Sequence, residues 1–272
     1  MRPTLSTIRT ERAETEYAVF GEGSRPFVMI PGVSLRRILK SAPAVESAFR
    51  IFSEQYTVYL FDRRNRLPEG LSIPDMAKDL ADAMLALDLH QADIYGASQG
   101  GMIAQCLAGE HPELVRRAVL ASTLSRANPT ALSVLDGWIS GAKAGDVPSL
   151  VRLCLSQIYS SATLEQFGEA LFRFYRDISQ EELERFLRMS EACLGFDYYE
   201  QLPKIQCPVL VVGSRGDTVL TPESSLEIAS RLSCCSCFLY GEEYGHMVFD
   251  EAPDFKQRML DFFLAPEAPA PK

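Results

Sequence analysis

Histidine is scarce in this chain, three in 272 residues, so a reaction that needs an imidazole base has few places to find one. Basic residues are also in the minority. There are 27 Lys and Arg against 36 Asp and Glu, leaving a formal net charge of −9. That balance excludes the basic footprint of a nucleic-acid binder. No apolar run approaches the roughly 20 residues of a membrane span, and no charged-then-apolar leader opens Met1-Arg2-Pro3-Thr4. The expectation is a cytoplasmic protein without a membrane span. Disulfide logic is missing too: the seven cysteines are odd in number and scattered, most within apolar patterns, which suits a reducing compartment. Cys234 and Cys237 form a C-x-x-C with no second ligand pair, so no metal site is expected there and the segment reads as the start of a core strand. The chain has no internal repeat. Its apolar fraction of 47% is enough to fill one large α/β core plus an insertion.

Against these absences stands Gly96-Ala97-Ser98-Gln99-Gly100. It follows the strand-like Ala92-Asp93-Ile94-Tyr95 and opens a helical pattern from Met102 to Ala108. A G-x-S-x-G between a strand and a helix is the sequence form of a nucleophile elbow. Small neighbours allow strand and helix to pass closely, and the serine is left exposed at the carboxyl edge of the sheet. A serine hydroxyl needs a base. His90 lies before the strand that leads to Ser98, and His111 lies after the helix that follows it, so both belong at the far edge of the sheet. His246, just beyond the apolar run Cys237-Phe238-Leu239-Tyr240, is the base by elimination. The base needs an orienting acid. Pro208-Val209-Leu210-Val211-Val212 is a β-branched run typical of a buried parallel strand, and Asp217 follows it directly. Asp250 and Glu243 are the next acids to consider. The chain order Ser, Asp, His is the α/β-hydrolase order rather than either protease order.

The remaining pattern places these motifs. An antiparallel pair is expected at Leu5 to Thr10 and Glu16 to Phe20, followed by alternating strands and helices up to Ser122. Ser72-Ile73-Pro74-Asp75 opens a helix with a cap and an early proline. Alternation stops between Arg126 and Gln201, where four helical patterns follow one another, the last with a capping-box signal at Ser179 to Glu182. Strand and helix resume at Pro208, with Thr221-Pro222 capping the next helix and Asp254 to Phe263 forming the terminal one. The expected division is a core at 1–125 and 202–264, a helical insertion at 126–201, and a disordered Ala- and Pro-rich tail at 265–272.

From about Phe27 to Leu264 the chain resembles the α/β-hydrolases of the single-domain esterase and lactonase type. The resemblance rests on Met29-Ile30-Pro31-Gly32-Val33, Gly96 to Gly101, Arg116 to Leu120, Val209 to Asp217, and Gly245-His246 with Asp250-Glu251-Ala252-Pro253. It implies a mostly parallel eight-stranded sheet flanked by helices, with the insertion as a lid. It also implies Ser98 as nucleophile, His246 as base, Asp217 as orienting acid, and the backbone N–H groups of Gln99 and Val33 as the oxyanion hole. Two departures from the family pattern stand out. Pro31-Gly32 replaces the usual His-Gly, which leaves Ser34 as an alternative to Val33. The loop from Asp62 to Gly70 lacks the usual glycine pair and carries Arg63, Arg64 and Arg66 instead. A guanidinium such as that of Arg64 recognises substrate carboxylates; the alternative is a solvated face paired with Asp62 and Glu69. Trp138 and Phe172, among the aromatics of the insertion, are candidate walls of an apolar cleft. The expected activity is hydrolysis of a small carboxylic ester or lactone, with no metal or organic cofactor. Thioesterase, C–C bond hydrolase, aminopeptidase-like and perhydrolase activities remain open, as does a slow-turnover ligand receptor on the same fold.

Overall fold

Alternate residues along each central strand face opposite sides of one sheet, and both sides are covered. Val28 and Ile30, Ala118 and Leu120, and Val209 and Val211 point into one core layer. Their neighbours Phe27 and Met29, Val119 and Ala121, and Leu210 and Val212 point into the other. A strand buried on both faces must be apolar at every position, hence the continuous runs seen in the sequence. The computed structural model describes residues 2–266.

The strands are β1 (Thr4–Arg9), β2 (Glu14–Phe20), β3 (Arg25–Ile30), β4 (Tyr56–Arg64), β5 (Ala92–Ala97), β6 (Val115–Ala121), β7 (Val209–Ser214) and β8 (Cys235–Tyr240). They form one eight-stranded sheet in the order β1-β2-β4-β3-β5-β6-β7-β8. β1 and β2, and β2 and β4, pair antiparallel; the pairs from β4 to β8 are parallel. Parallel pairing brings the carboxyl ends of β3, β5, β7 and β8 to one edge, where open α/β sheets bind their ligands.

Helices α1 (Ala42–Ala48), α2 (Ile73–Ala86) and α3 (Gln99–Glu110) connect the first strands. The insertion consists of α4 (Pro129–Ala144), α5 (Val147–Ile158), α6 (Ser161–Tyr175) and α7 (Gln180–Cys193). α8 (Pro222–Arg231), α9 (Val248–Glu251) and α10 (Phe255–Leu264) complete the chain. The expected capping box forms at Ser179 with Glu182, and the cap expected at Ser72 is a capping box as well, with Asp75. Thr221 differs. It precedes α8 in the left-handed region, at φ 66°, and its side chain makes no cap hydrogen bond to the backbone. The C-x-x-C reading is also corrected, because β8 is the edge strand and leaves Cys234 and Cys237 exposed rather than in the core. Most of the expected disordered tail lies outside the described residues. Its first two members are held, with Ala265 O and Pro266 O accepting from Arg117 Nη2 at 2.6 and 3.3 Å.

Candidate active site

The turn from β5 into α3 is where the backbone is forced. Ser98 has φ 53° and ψ −121°, a conformation that costs a non-glycine residue of order 1–3 kcal/mol. Bonds on both sides hold it there. Ser98 N–H donates to Ala121 O at 2.9 Å, while Ser98 O accepts from Gly101 N–H at 2.9 Å and from Thr123 Oγ1 at 2.7 Å. A Cβ at Gly100 would lie 1.9 Å from Ile30 O, and one at Gly32 would lie 3.0 Å from Ser98 Cβ. The glycines around the elbow are therefore a requirement of close approach.

β7 ends at Ser214, whose hydroxyl is shared between the carbonyls of Gly241 and Tyr244. This contact ties the loop carrying Asp217 to the loop carrying His246. Asp217 and His246 meet there, with His246 Nδ1 2.8 Å from Asp217 Oδ2 and both side chains 3% exposed. Asp217 Oδ1 accepts from the N–H groups of Val219 and Leu220 at 2.8 and 3.0 Å. Burial on its own would push this carboxyl up. The His246 ring and the two backbone donors outweigh it, and the net shift is below the ordinary aspartate value. A carboxylate on Nδ1 fixes the proton there and leaves Nε2 as the basic nitrogen. His90 and His111 sit elsewhere, near Asp88 and Glu113, each at 3.4 Å. Glu251 buttresses the base loop, since its carboxylate accepts from Gly245 N–H at 2.6 Å and from Ser160 N–H, at the start of α6, at 2.8 Å.

Ser98 and His246 line one cavity of about 380 Å³, together with Gly32, Val33, Ser34 and Trp138. No hydrogen bond joins Ser98 Oγ to His246 Nε2 among the described residues; such contacts often tighten only when substrate binds. Gln99 is the first residue of α3, so its N–H has no intrahelical partner. Trp138 is buried, with Nε1 donating to Gln157 Oε1 at 2.6 Å. Two expected contacts lie elsewhere. Phe172 is outside the cavity, covered by the Arg152 guanidinium at 4.0 Å, and its helix neighbours Phe174 and Tyr175 line the wall instead. Arg64 lies in β4 and forks onto the Asp79 carboxylate of α2. A guanidinium engaged in this way is not directed at a substrate.

Arg66 is exposed, whereas Arg63 and Arg185 form a brace that sequence reasoning did not find. Arg63, buried, donates to Pro31 O and, at 3.3 Å, to Gln99 Oε1. Burial lowers its pKa to about 10. Gln99 Nε2 in turn donates to Met189 O of α7 at 2.6 Å. From α7, Arg185 donates to Asp62 Oδ1 at 2.7 Å, to Arg63 O at 3.0 Å and to Arg64 O at 2.7 Å. The elbow, the Pro31 loop and the insertion thus meet in one buried polar cluster.

A family model described as alpha/beta hydrolase fold matches residues 40–253, and the chain belongs to that family. Its similarities are to enzymes. A protein named "Putative carbamate hydrolase RutD" from Rhizobium rhizogenes is 25% identical over 234 residues, 82% of this chain and 87% of its own length. The "3-oxoadipate enol-lactonase 2" of Acinetobacter baylyi is 24% identical over 223 residues, 79% of this chain and 80% of its own. Among solved structures, an alpha/beta hydrolase enzyme from a Medee basin deep-sea metagenome library matches with a TM-score of 0.86 at 22% identity, covering 97% of this chain and 98% of that one. The protein is an enzyme, a hydrolase of the α/β-hydrolase fold. No helix among the described residues is long and apolar enough to cross a membrane.

Proposed function

We propose that this hydrolase cleaves small carboxylic esters or lactones through Ser98, His246, Asp217 and an acyl-enzyme. One observation carries the reading: a buried His246–Asp217 pair at 2.8 Å opens onto the cavity that holds a strained, glycine-flanked Ser98. His246 Nε2 takes the Ser98 proton as Oγ attacks the carbonyl carbon. The backbone N–H groups of Gln99 and Val33 receive the oxyanion. His246 then returns the proton to the departing alkoxide, which in a lactone stays tethered to the acyl chain. Water, deprotonated by the same nitrogen, releases the acid. Residues 126–201 act as a lid over the core at 1–125 and 202–264. The enol-lactonase similarity supports the ester and lactone class. Seven unpaired cysteines support a reducing, cytoplasmic setting.

The test is labelling with a fluorophosphonate and mapping of the modified peptide, followed by a panel of esters, lactones and amides. Ser98 should carry the label. Ser98→Ala should lower kcat by about 10⁴ to 10⁶, His246→Ala by a similar factor, and the double variant by little more. A label on another residue, or turnover that survives Ser98→Ala, sinks the mechanism. Efficient amide cleavage with negligible esterase activity removes the substrate class and leaves the nucleophile standing.

A further inference from the structure

Asp250 follows His246 by four residues, on α9, and lines the same cavity as Ser98 and His246. It is the one carboxylate among the cavity-lining residues. Among the described residues, no side chain or backbone group hydrogen-bonds its carboxylate and no cation pairs with it. Its neighbour Glu251 shows what a structural acid looks like here, with one oxygen on Gly245 N–H and the other on Ser160 N–H. Asp250 supports nothing of that kind. Its side chain is exposed rather than shut into the core, and the surrounding protein still raises its pKa by desolvation, against the opposing pull of Lys256. An accessible carboxylate without a protein partner, on the wall of a cavity, is free to receive a cation from a ligand.

The two nearby cations each have another contact. Lys256, which Asp250 also attracts, donates from Nζ to Phe249 O at 2.7 Å and lies 5.8 Å from the Phe49 ring. Arg36, also on the cavity, donates to Asp177 O at 3.0 Å and stacks on Phe174 at 4.9 Å, with its buried Nε left without a partner. The other groups close enough to interact with Asp250 are Glu251, Tyr95, Tyr159 and Tyr175, and none of them is a cation. The Tyr95 hydroxyl is buried with no partner. Tyr95, Tyr175 and Phe249 line the cavity around the acid, with the Tyr95 and Phe249 rings 6.4 Å apart. Aromatic faces beside a carboxylate form a receptor for an ammonium group, which draws on both the anion and the ring quadrupoles.

Building on the esterase reading above, we infer that the preferred substrates carry a positively charged ammonium group, held by Asp250 among Tyr95, Tyr175 and Phe249. The ammonium sits in either the acyl part or the leaving alcohol, and two isosteric pairs separate these cases. The acyl pair is the 4-nitrophenyl esters of 4-(trimethylammonio)butanoic acid and 5,5-dimethylhexanoic acid. The alcohol pair is 2-(trimethylammonio)ethyl butanoate and 3,3-dimethylbutyl butanoate. Within each pair only the charge differs, and a quaternary nitrogen keeps it at every pH.

In one pair, kcat/KM for the cationic member should exceed that of its neutral isostere by about tenfold or more, the worth of a desolvated cation held against aromatic rings. Asp250→Asn should bring that ratio close to one, and Asp250→Glu should restore part of it. Calorimetric binding of choline against 3,3-dimethylbutanol should show the same preference in Ser98→Ala protein, independently of turnover. A ratio at or below one in both pairs overturns the inference, as does a ratio that Asp250→Asn leaves unchanged. Loss of the proposed function reads differently. Neutral esters would then not be turned over at all, while the choline comparison would still report on Asp250.

Discussion

The floor of the cavity and its roof are built by opposite rules. All six residues of β5 are buried, and so are all six of β7; the loops that follow them are pinned by backbone bonds, close glycines and a buried ion pair. Above them α6 spans 15 residues without one that is fully buried, and it leaves Phe167 50% exposed. α7, in the same insertion, resembles the floor, because Leu183, Arg185, Phe186 and Met189 are buried and Arg185 reaches the β4 end. Chemistry demands atoms held to fractions of an ångström, whereas the lid proposed above has to let substrate pass. The contrast separates a fixed reaction frame from one loosely seated helix, with α7 as the bracket between them.

The largest expected effect falls on the floor. Asp217→Asn should lower kcat by about 10⁴, as removing the orienting carboxylate does in such triads. The same variant tests stability. Asp217 has a depressed folded-state pKa, so its stabilisation is fully present above the unfolded value of about 4 and is lost as pH falls through the folded value. The melting-temperature gap between wild type and Asp217→Asn should therefore be widest near neutrality and close in acid. A gap that does not change with pH would remove the ion pair from the stability of the floor.

The bracket comes next. Arg185→Met leaves the buried Asp62 with the Arg63 N–H at 2.7 Å and, as its remaining ion pair, the longer Arg37 contact of 3.4 Å, and chemical unfolding should show a loss of about 3–5 kcal/mol. Arg173→Met on α6, whose arginine is 63% exposed, should cost less than about 0.5 kcal/mol. Equal losses would erase the distinction between the two helices. Smaller again is the selectivity of the roof, where Trp138→Ala should shift acyl-chain preference by roughly 1–3 kcal/mol in kcat/KM ratios. The finest test is hydrogen exchange, in which amides of α6 should exchange well before those of α7 and α3. Matching protection across α6 and α7 would make the roof a single rigid body.

The sequence revealed the floor and largely concealed the brace. Ser98 could be read because its turn tolerates only small neighbours, and that constraint leaves glycines behind. Asp217 and His246 could be read because parallel strands deliver the loops after them to one edge, so two distant residues meet at 2.8 Å. Arg63 and Arg185 were hidden for the opposite reason. Their partners lie far along the chain, with no spacing that marks them, and three arginines in a loop look alike whether solvated or buried. Phe172 lies with Leu164, Leu171 and Tyr175 on the apolar face of α6 that packs against the core, and the sequence pattern marks that face without saying which of its residues reach the cavity. Cys235-Ser236-Cys237 misled in a related way, since an edge strand with one uncovered side carries no continuous apolar run.

Glu251 holds the Gly245 amide with one oxygen and the Ser160 amide with the other, so a single carboxylate ties the start of α6 to the loop that carries His246. A change at Glu251 therefore reaches two places at once: the first turn of a helix in the insertion and the residue before the imidazole.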